Sequence, residues 1–184
     1  MTAWCAVVLA FLLSVGSAKA FDFSGNKSLI AVTRDGGRTR IGSVSFVPAM
    51  AGSASFRVQM DYSVMRDYFL SMKEFKCLPS AVEVTCHVAY PYRQPATASA
   101  SDPAWLEHNL LFLYKQPADF GAKLWNGLIF SFSVTPNALV GRPQAVDLNL
   151  VSAPPDKLDS PPFGPMDRND VAPGERWLSE LRIE

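Results

Sequence analysis

His87 and His108 are the chain's only imidazoles, so any side-chain base that titrates near neutrality has to be one of them. His108 follows Glu107 inside an apolar run, and His87 falls on the polar parity of a strand, opposite in sense to Cys86, which points its ring to solvent. Neither stands at a recognised spacing from a nucleophile, since the chain has no G-x-S-x-G elbow and no H-E-x-x-H pair. His108 therefore reads as a helix histidine satisfied by a local hydrogen bond. The alternative is a hydrolase using His108 or His87 with a serine or carboxylate brought near by the fold. No catalytic residue is assigned.

The sulfur chemistry is equally sparse. Phe75 and Cys77 share one parity, Val84, Cys86 and Val88 another, and Pro79-Ser80 punctuates the two runs as a turn. If Cys77 opposes Cys86 across an antiparallel pair, a Cα separation of about 4.5 to 5.5 Å suits a disulfide. A redox-active pair would need C-x-x-C spacing, which is missing. Two histidines and a paired cysteine set leave too few ligands for structural zinc. Met50, Met60, Met65 and Met72 are thioethers of the kind that hold cuprous copper, but Met is also the usual filler of irregular cores. Asp35-Gly36-Gly37 has neither the carboxylate series of a calcium loop nor the lysine of a phosphate cradle, so it is a turn. No metal and no cofactor is expected.

Aromatic residues offer binding rather than reaction. Phe46, Phe56, Phe130, Phe132, Trp105 and Trp125 either line a cavity for an apolar ligand or fill a solid core. Tyr90-Pro91-Tyr92-Arg93 reads as an exposed loop whose rigid rings beside an arginine suit a protein partner. The candidate binding residues are thus Tyr90, Tyr92, Arg93, Trp105 and Trp125.

The elements that would position these groups are mostly strands. Residues 28–34 and 38–46 flank Asp35-Gly36-Gly37 as a hairpin, with a bulge near Gly42-Ser43 needed to turn Ile41, Val44 and Phe46 to one side. Residues 54–61 alternate cleanly. Residues 62–72 show helical spacing, and Asp102-Pro103 opens a second helix through about Tyr114 that is apolar over most of its circumference. Residues 128–134 and 145–151 alternate again, and 176–184 return as a last strand. Six of the 14 prolines fall in 154–173, an extended surface strap without a core of its own. The expectation is α+β, mainly antiparallel, with about eight strands in a small barrel or two-layer sandwich and one or two packed helices.

Residues 3–16 are almost wholly apolar, and Ser17-Ala18-Lys19-Ala20 matches a signal-peptidase site, so residues 1–20 read as a cleaved signal peptide and 21–184 as one globular domain. About 14 apolar residues fall short of the roughly 20 of a membrane span. Cys5 lies away from the cleavage point, so a lipid-modified mature cysteine is not indicated. Export to the periplasm or beyond is what favours the disulfide. Lys plus Arg equals Asp plus Glu at 17 each, which leaves no positive excess for nucleic acid. The leading expectation is an exported, non-enzymatic binding or accessory module on a disulfide-braced β scaffold, taking an apolar small molecule or an envelope protein. A structural or assembly protein without ligand is the third alternative.

Overall fold

A computed structural model describes residues 21–70 and 73–184; the expected signal peptide and Met72 lie outside the described residues. Twelve strands and one short helix follow in chain order. The strands are β1 (Gly25–Thr33), β2 (Arg38–Pro48), β3 (Ser53–Met60), β4 (Arg66–Leu70), β5 (Lys73–Leu78), β6 (Val84–Val88) and β7 (Thr97–Ser99), then helix α1 (Ala104–His108). They continue with β8 (Leu111–Lys115), β9 (Gly127–Val134), β10 (Leu139–Val146), β11 (Asn169–Asp170) and β12 (Leu178–Ile183). All pair antiparallel in one open sheet, ordered β4-β5-β6-β8-β9-β10-β12-β1-β2-β3-β7, with β11 on the side of β10. The mainly antiparallel expectation holds, with twelve strands among the described residues in place of eight, in one open sheet in place of a small barrel or two-layer sandwich.

Both faces of the sheet carry apolar packing, and this explains the missed strands. In β8, Phe112 joins the larger cluster while Leu111 and Leu113 join the smaller one on the other face. In β9, Leu128, Phe130 and Phe132 face the larger cluster and Ile129 the smaller. A strand buried on both faces reads as a continuous apolar run, which periodicity cannot tell from a buried helix. The helix expected over 102–114 therefore stops at His108 and becomes β8. The helix expected over 62–72 is a 3-10 turn at Tyr62–Val64 followed by β4, whose Tyr68 and Leu70 pack inward while Phe69 is exposed. The strand expected over 145–151 ends at Val146, and a 3-10 turn, Leu148–Val151, buries Leu148 and leaves Leu150 out.

The bulge falls where parity demanded it. Leu29 opposes Gly42 but Ile30 opposes Arg40, so Ile41 is the extra residue, and Ile41, Val44 and Phe46 are all buried. Gly42 is fixed by crowding, because a Cβ there would run into the Gln59 carbonyl oxygen on β3. Cys77 lies opposite Cys86 with the disulfide formed, at a Cα separation of 3.8 Å, closer than expected, and both cysteines are fully buried.

Candidate functional site

Helix α1 is only five residues long, and its job is to hold the Pro-rich strap. Asp102 starts it, its carboxylate accepting from the Ala104 amide at 3.2 Å. His108 Nδ1 donates to the Ala104 carbonyl at 2.7 Å, and its Nε2 accepts from the Phe163 amide at 3.0 Å. One nitrogen must be a donor and the other an acceptor, so these partners set the neutral Nδ1–H tautomer. Burial pushes its pKa down to about 4, with the nearby Arg168 charge acting the same way. Beside it Glu107 takes the Phe132 amide at 2.9 Å and Arg168 at 2.6 Å, and Arg168 also donates twice to the Phe163 carbonyl, at 3.1 and 3.0 Å. Phe163 stacks on the His108 ring at 5.4 Å and is fully buried. The strap thus contributes a core residue, contrary to expectation, and His108 has no free lone pair with which to act as a base.

His87 is buried too, not solvent-facing, because β6 lies between β5 and β8 with both faces covered. The Tyr62 hydroxyl sits 3.3 Å from Nδ1 and the Asn109 carbonyl 3.4 Å from Nε2, and burial lowers its pKa. It lines a cleft of about 340 Å³ with Val58, Met60, Tyr62 and Tyr90. Among the described residues, Met60 is the one of the four clustered methionines that lines it: Met50 is exposed at a hairpin tip and Met65 is buried in the core. Among the described residues no group of three His, Cys, Asp or Glu could hold a metal.

The candidate binding residues divide. Tyr90, Tyr92 and Trp105 do come together, Tyr90 lying 5.6 Å from Tyr92 and 6.0 Å from Trp105, but the group packs toward His108, and Trp105 is buried. The Tyr92 hydroxyl donates to the Val151 carbonyl at 3.2 Å. That of Tyr90 is buried without a partner. Arg93 is exposed beside Leu158 and Asp159 of the strap. Trp125 is 63 % exposed on a separate loop. Phe46, Phe56, Phe130, Phe132 and Trp105 are packed together in the larger core cluster, the solid-core alternative.

Two further clefts lie where the sequence offered no motif. On the strap side of β9 and β10, Ser131 and Gln144 are shared by two adjoining clefts of about 480 and 830 Å³. The smaller is walled by Pro161, Phe163, Pro165 and Arg168, the larger by Ser133, Arg142, Pro143, residues 170–174, Arg176 and Ser179. The larger opens at a gap in the pairing: β10 meets β12 through Gly141 and β11 from Gln144, which leaves Arg142 and Pro143 unpaired on that side. Pro143 has no amide to offer a neighbour.

Each arginine lining this groove faces a carboxylate, and the Asp170 carboxylate, which lines the larger cleft, is met by the Gln144 amide. Arg142 approaches Glu180 at 3.5 Å, and Arg168 is held by Glu107. Arg176 lies 3.1 Å from Glu83 and from Glu175 and stacks over the Tyr114 ring at 4.0 Å. Burial pushes the Glu83 carboxyl up, against the pull of Arg176. Gln144 donates to Asp170 at 2.8 Å, keeping its carbonyl available. Polar parity in 127–134 was the one available signal, since Ser131 and Ser133 alternate with inward Phe130 and Phe132. Set against protein families, curated proteins and solved structures, the chain matches none.

Proposed function

We propose that the chain is an exported, non-enzymatic binding module, mature from Phe21, and that its ligand is a polar molecule without strong net charge lying in the groove between the strap and the β9–β10 face. The observation that carries this is the groove itself: two adjoining clefts sharing Ser131 and Gln144, with hydroxyl and amide groups for recognition and each guanidinium already matched by a carboxylate. Concave surfaces with a few convergent polar groups are where small ligands bind. An apolar ligand is disfavoured, because the rings that would have lined its cavity, all but the exposed Trp125, belong to the larger core cluster. Hydrolysis by His108 is disfavoured because both its nitrogens are engaged. The buried disulfide, with no described helix long and apolar enough to cross a membrane, supports an oxidising exported compartment.

The test is native mass spectrometry of the protein purified from its own exported compartment, compared with Ser131→Trp, which fills the junction of the two clefts. A species starting at Phe21, short by two hydrogens and carrying a bound mass that Ser131→Trp loses, is the expected result. A bare protein, or a bound mass indifferent to Ser131→Trp, overturns the groove, and an intact Met1 overturns export.

A further inference from the structure

Strands β3 and β6 are far apart in the sheet order, yet residues from both line the cleft of about 340 Å³ beside His87, so the sheet curls over its larger core cluster. Val58 and Met60 share one parity of β3, pack partly against that cluster and line the cleft. At the end of β3 the Asp61 carboxylate accepts from the Ser63 amide at 3.1 Å, and the tight turn it caps brings the Tyr62 and His87 ring centroids to 6.2 Å. A smaller cleft of about 150 Å³ shares Tyr62, His87 and Ala89 with the first. Tyr62 stands at the junction of the two and is 44 % exposed.

The His87 ring is held as an acceptor. The Asn109 carbonyl can only accept, so Nε2 carries the proton and Nδ1 keeps the lone pair that meets the Tyr62 hydroxyl. Burial lowers the pKa of the ring and keeps it neutral. Its two contacts, at 3.4 and 3.3 Å, are longer than ordinary hydrogen bonds of about 2.7 to 3.2 Å, so this buried imidazole is loosely satisfied. The wall of the same cleft holds Tyr90, whose buried hydroxyl has no partner at all. No residue lining the larger cleft carries a charge. The charged side chains of the smaller one, Lys73, Glu74 and Lys76, stand on β5, where Lys76 pairs with Asp67 and Glu74.

From these observations we infer that the His87 cleft is a second binding site, for a small neutral aromatic alcohol whose hydroxyl donates to Nδ1 in place of the Tyr62 hydroxyl. Tyr62 is a built-in analogue of that ligand, a phenol on the same nitrogen delivered by a turn that water reaches. The tyrosine rings and the Met60 thioether give the ligand's ring flat apolar and sulfur contacts. A hydroxyl also offers the acceptor that the Tyr90 O–H lacks. An ionised ligand would find no counter-charge in the larger cleft, and a hydrocarbon would leave both polar groups as they are. The site shares no lining residue with the groove beside the strap.

The probe that tests this is 2-naphthol, with 2-methoxynaphthalene as the control that keeps the rings and loses the O–H. Both are titrated into protein whose methionines carry a carbon-13 label on the methyl group, with the Met60 signal assigned through Met60→Leu. The expected result is that 2-naphthol shifts the Met60 signal and leaves those of the exposed Met50 and Met166 in place. The methoxy compound should bind about tenfold more weakly, since it cannot satisfy the buried acceptor. Tyr62→Phe, which removes the competing hydroxyl, should tighten 2-naphthol binding, and Ser131→Trp should leave it unchanged. A stationary Met60 signal, equal binding of the two compounds, or loss of binding on Ser131→Trp overturns the inference. Weaker binding by Tyr62→Phe overturns it as well, because the Tyr62 hydroxyl would then hold the ligand instead of competing with it. The groove is unaffected by any of these results except the loss on Ser131→Trp, which would place the naphthol there.

Discussion

At the residue scale, His108 is the group whose chemistry is most clearly fixed, and fixed against catalysis. Its folded pKa is pushed down to about 4, whereas an unfolded chain restores about 6.5. The unfolded state thus binds more protons between those values, so this contribution to stability is complete above about pH 6.5, declines as pH falls, and is exhausted near pH 4. The span corresponds to about 3 kcal/mol. His87, also lowered by burial, acts in the same direction, and Glu83, raised by burial, acts in the opposite one. His108→Gln should cost about 2 to 4 kcal/mol at pH 7.5, where the Phe163 amide loses its acceptor, and should flatten the pH dependence so that the two proteins converge toward pH 4. Urea unfolding at several pH values reads this directly; parallel curves for the two proteins would show that the histidine is not a buried neutral acceptor. Arg168→Met tests the other half of the clasp. It strands the Glu107 carboxylate and the Phe163 carbonyl, at about 3 kcal/mol by the general cost of breaking a buried pair. Limited proteolysis should then cut within 154–173 ahead of any site in the sheet.

At the element scale, alternating strands were legible and doubly buried ones were not. Residues 54–60 expose Ser55, Arg57 and Gln59 against Ala54 and Phe56, and such a pattern has one reading. Residues 110–113 alternate between two apolar clusters, Leu110 and Phe112 to one and Leu111 and Leu113 to the other, so the period-2 signal is present in space and invisible in hydropathy. The disulfide was legible because both cysteines shared parity with apolar neighbours. The candidate site was not: the groove is made by a proline-rich segment returning over β9 and β10, and local periodicity carries no trace of that return. The bulge was read from parity alone, and its glycine makes a sharp prediction. Gly42→Ala pushes a Cβ against backbone, not against a side chain that could swing away, so about 2 to 4 kcal/mol should be lost, with a lower urea midpoint at unchanged slope. Gly25→Ala is the control for a glycine with open space around it, and it should lose less, since only its positive φ opposes the substitution.

At the scale of the whole molecule, the order of strands decides how the protein is held together. The last strand in the chain, β12, lies in the middle of the sheet between β10 and β1, and β1 is the first. In the hydrogen-bonded order, the strands from β4 to β10 meet β1, β2, β3 and β7 through a strand made last, while the larger core cluster and helix α1 pack across both parts. Leu178, Leu181 and Ile183 on β12 are fully buried, and the final residue, Glu184, exchanges backbone hydrogen bonds with Ser28 at 2.7 and 3.1 Å. At about 2 to 5 kcal/mol for each large aliphatic removed, losing these three side chains matches the whole stability of an ordinary domain, about 5 to 15 kcal/mol. A chain ending at Trp177 should accordingly show no cooperative urea transition, although every residue of the groove except Ser179 is still present. A cooperative transition in that truncated chain would mean that the two halves of the sheet are independently stable. The same topology predicts slow refolding, on the order of milliseconds to seconds, because the first and last strands must meet across the full chain before either half is sealed. Stopped-flow refolding of the oxidised protein should show that slow phase as its main amplitude, and the phase should respond to Leu181→Ala more than to Leu70→Ala at the sheet's edge.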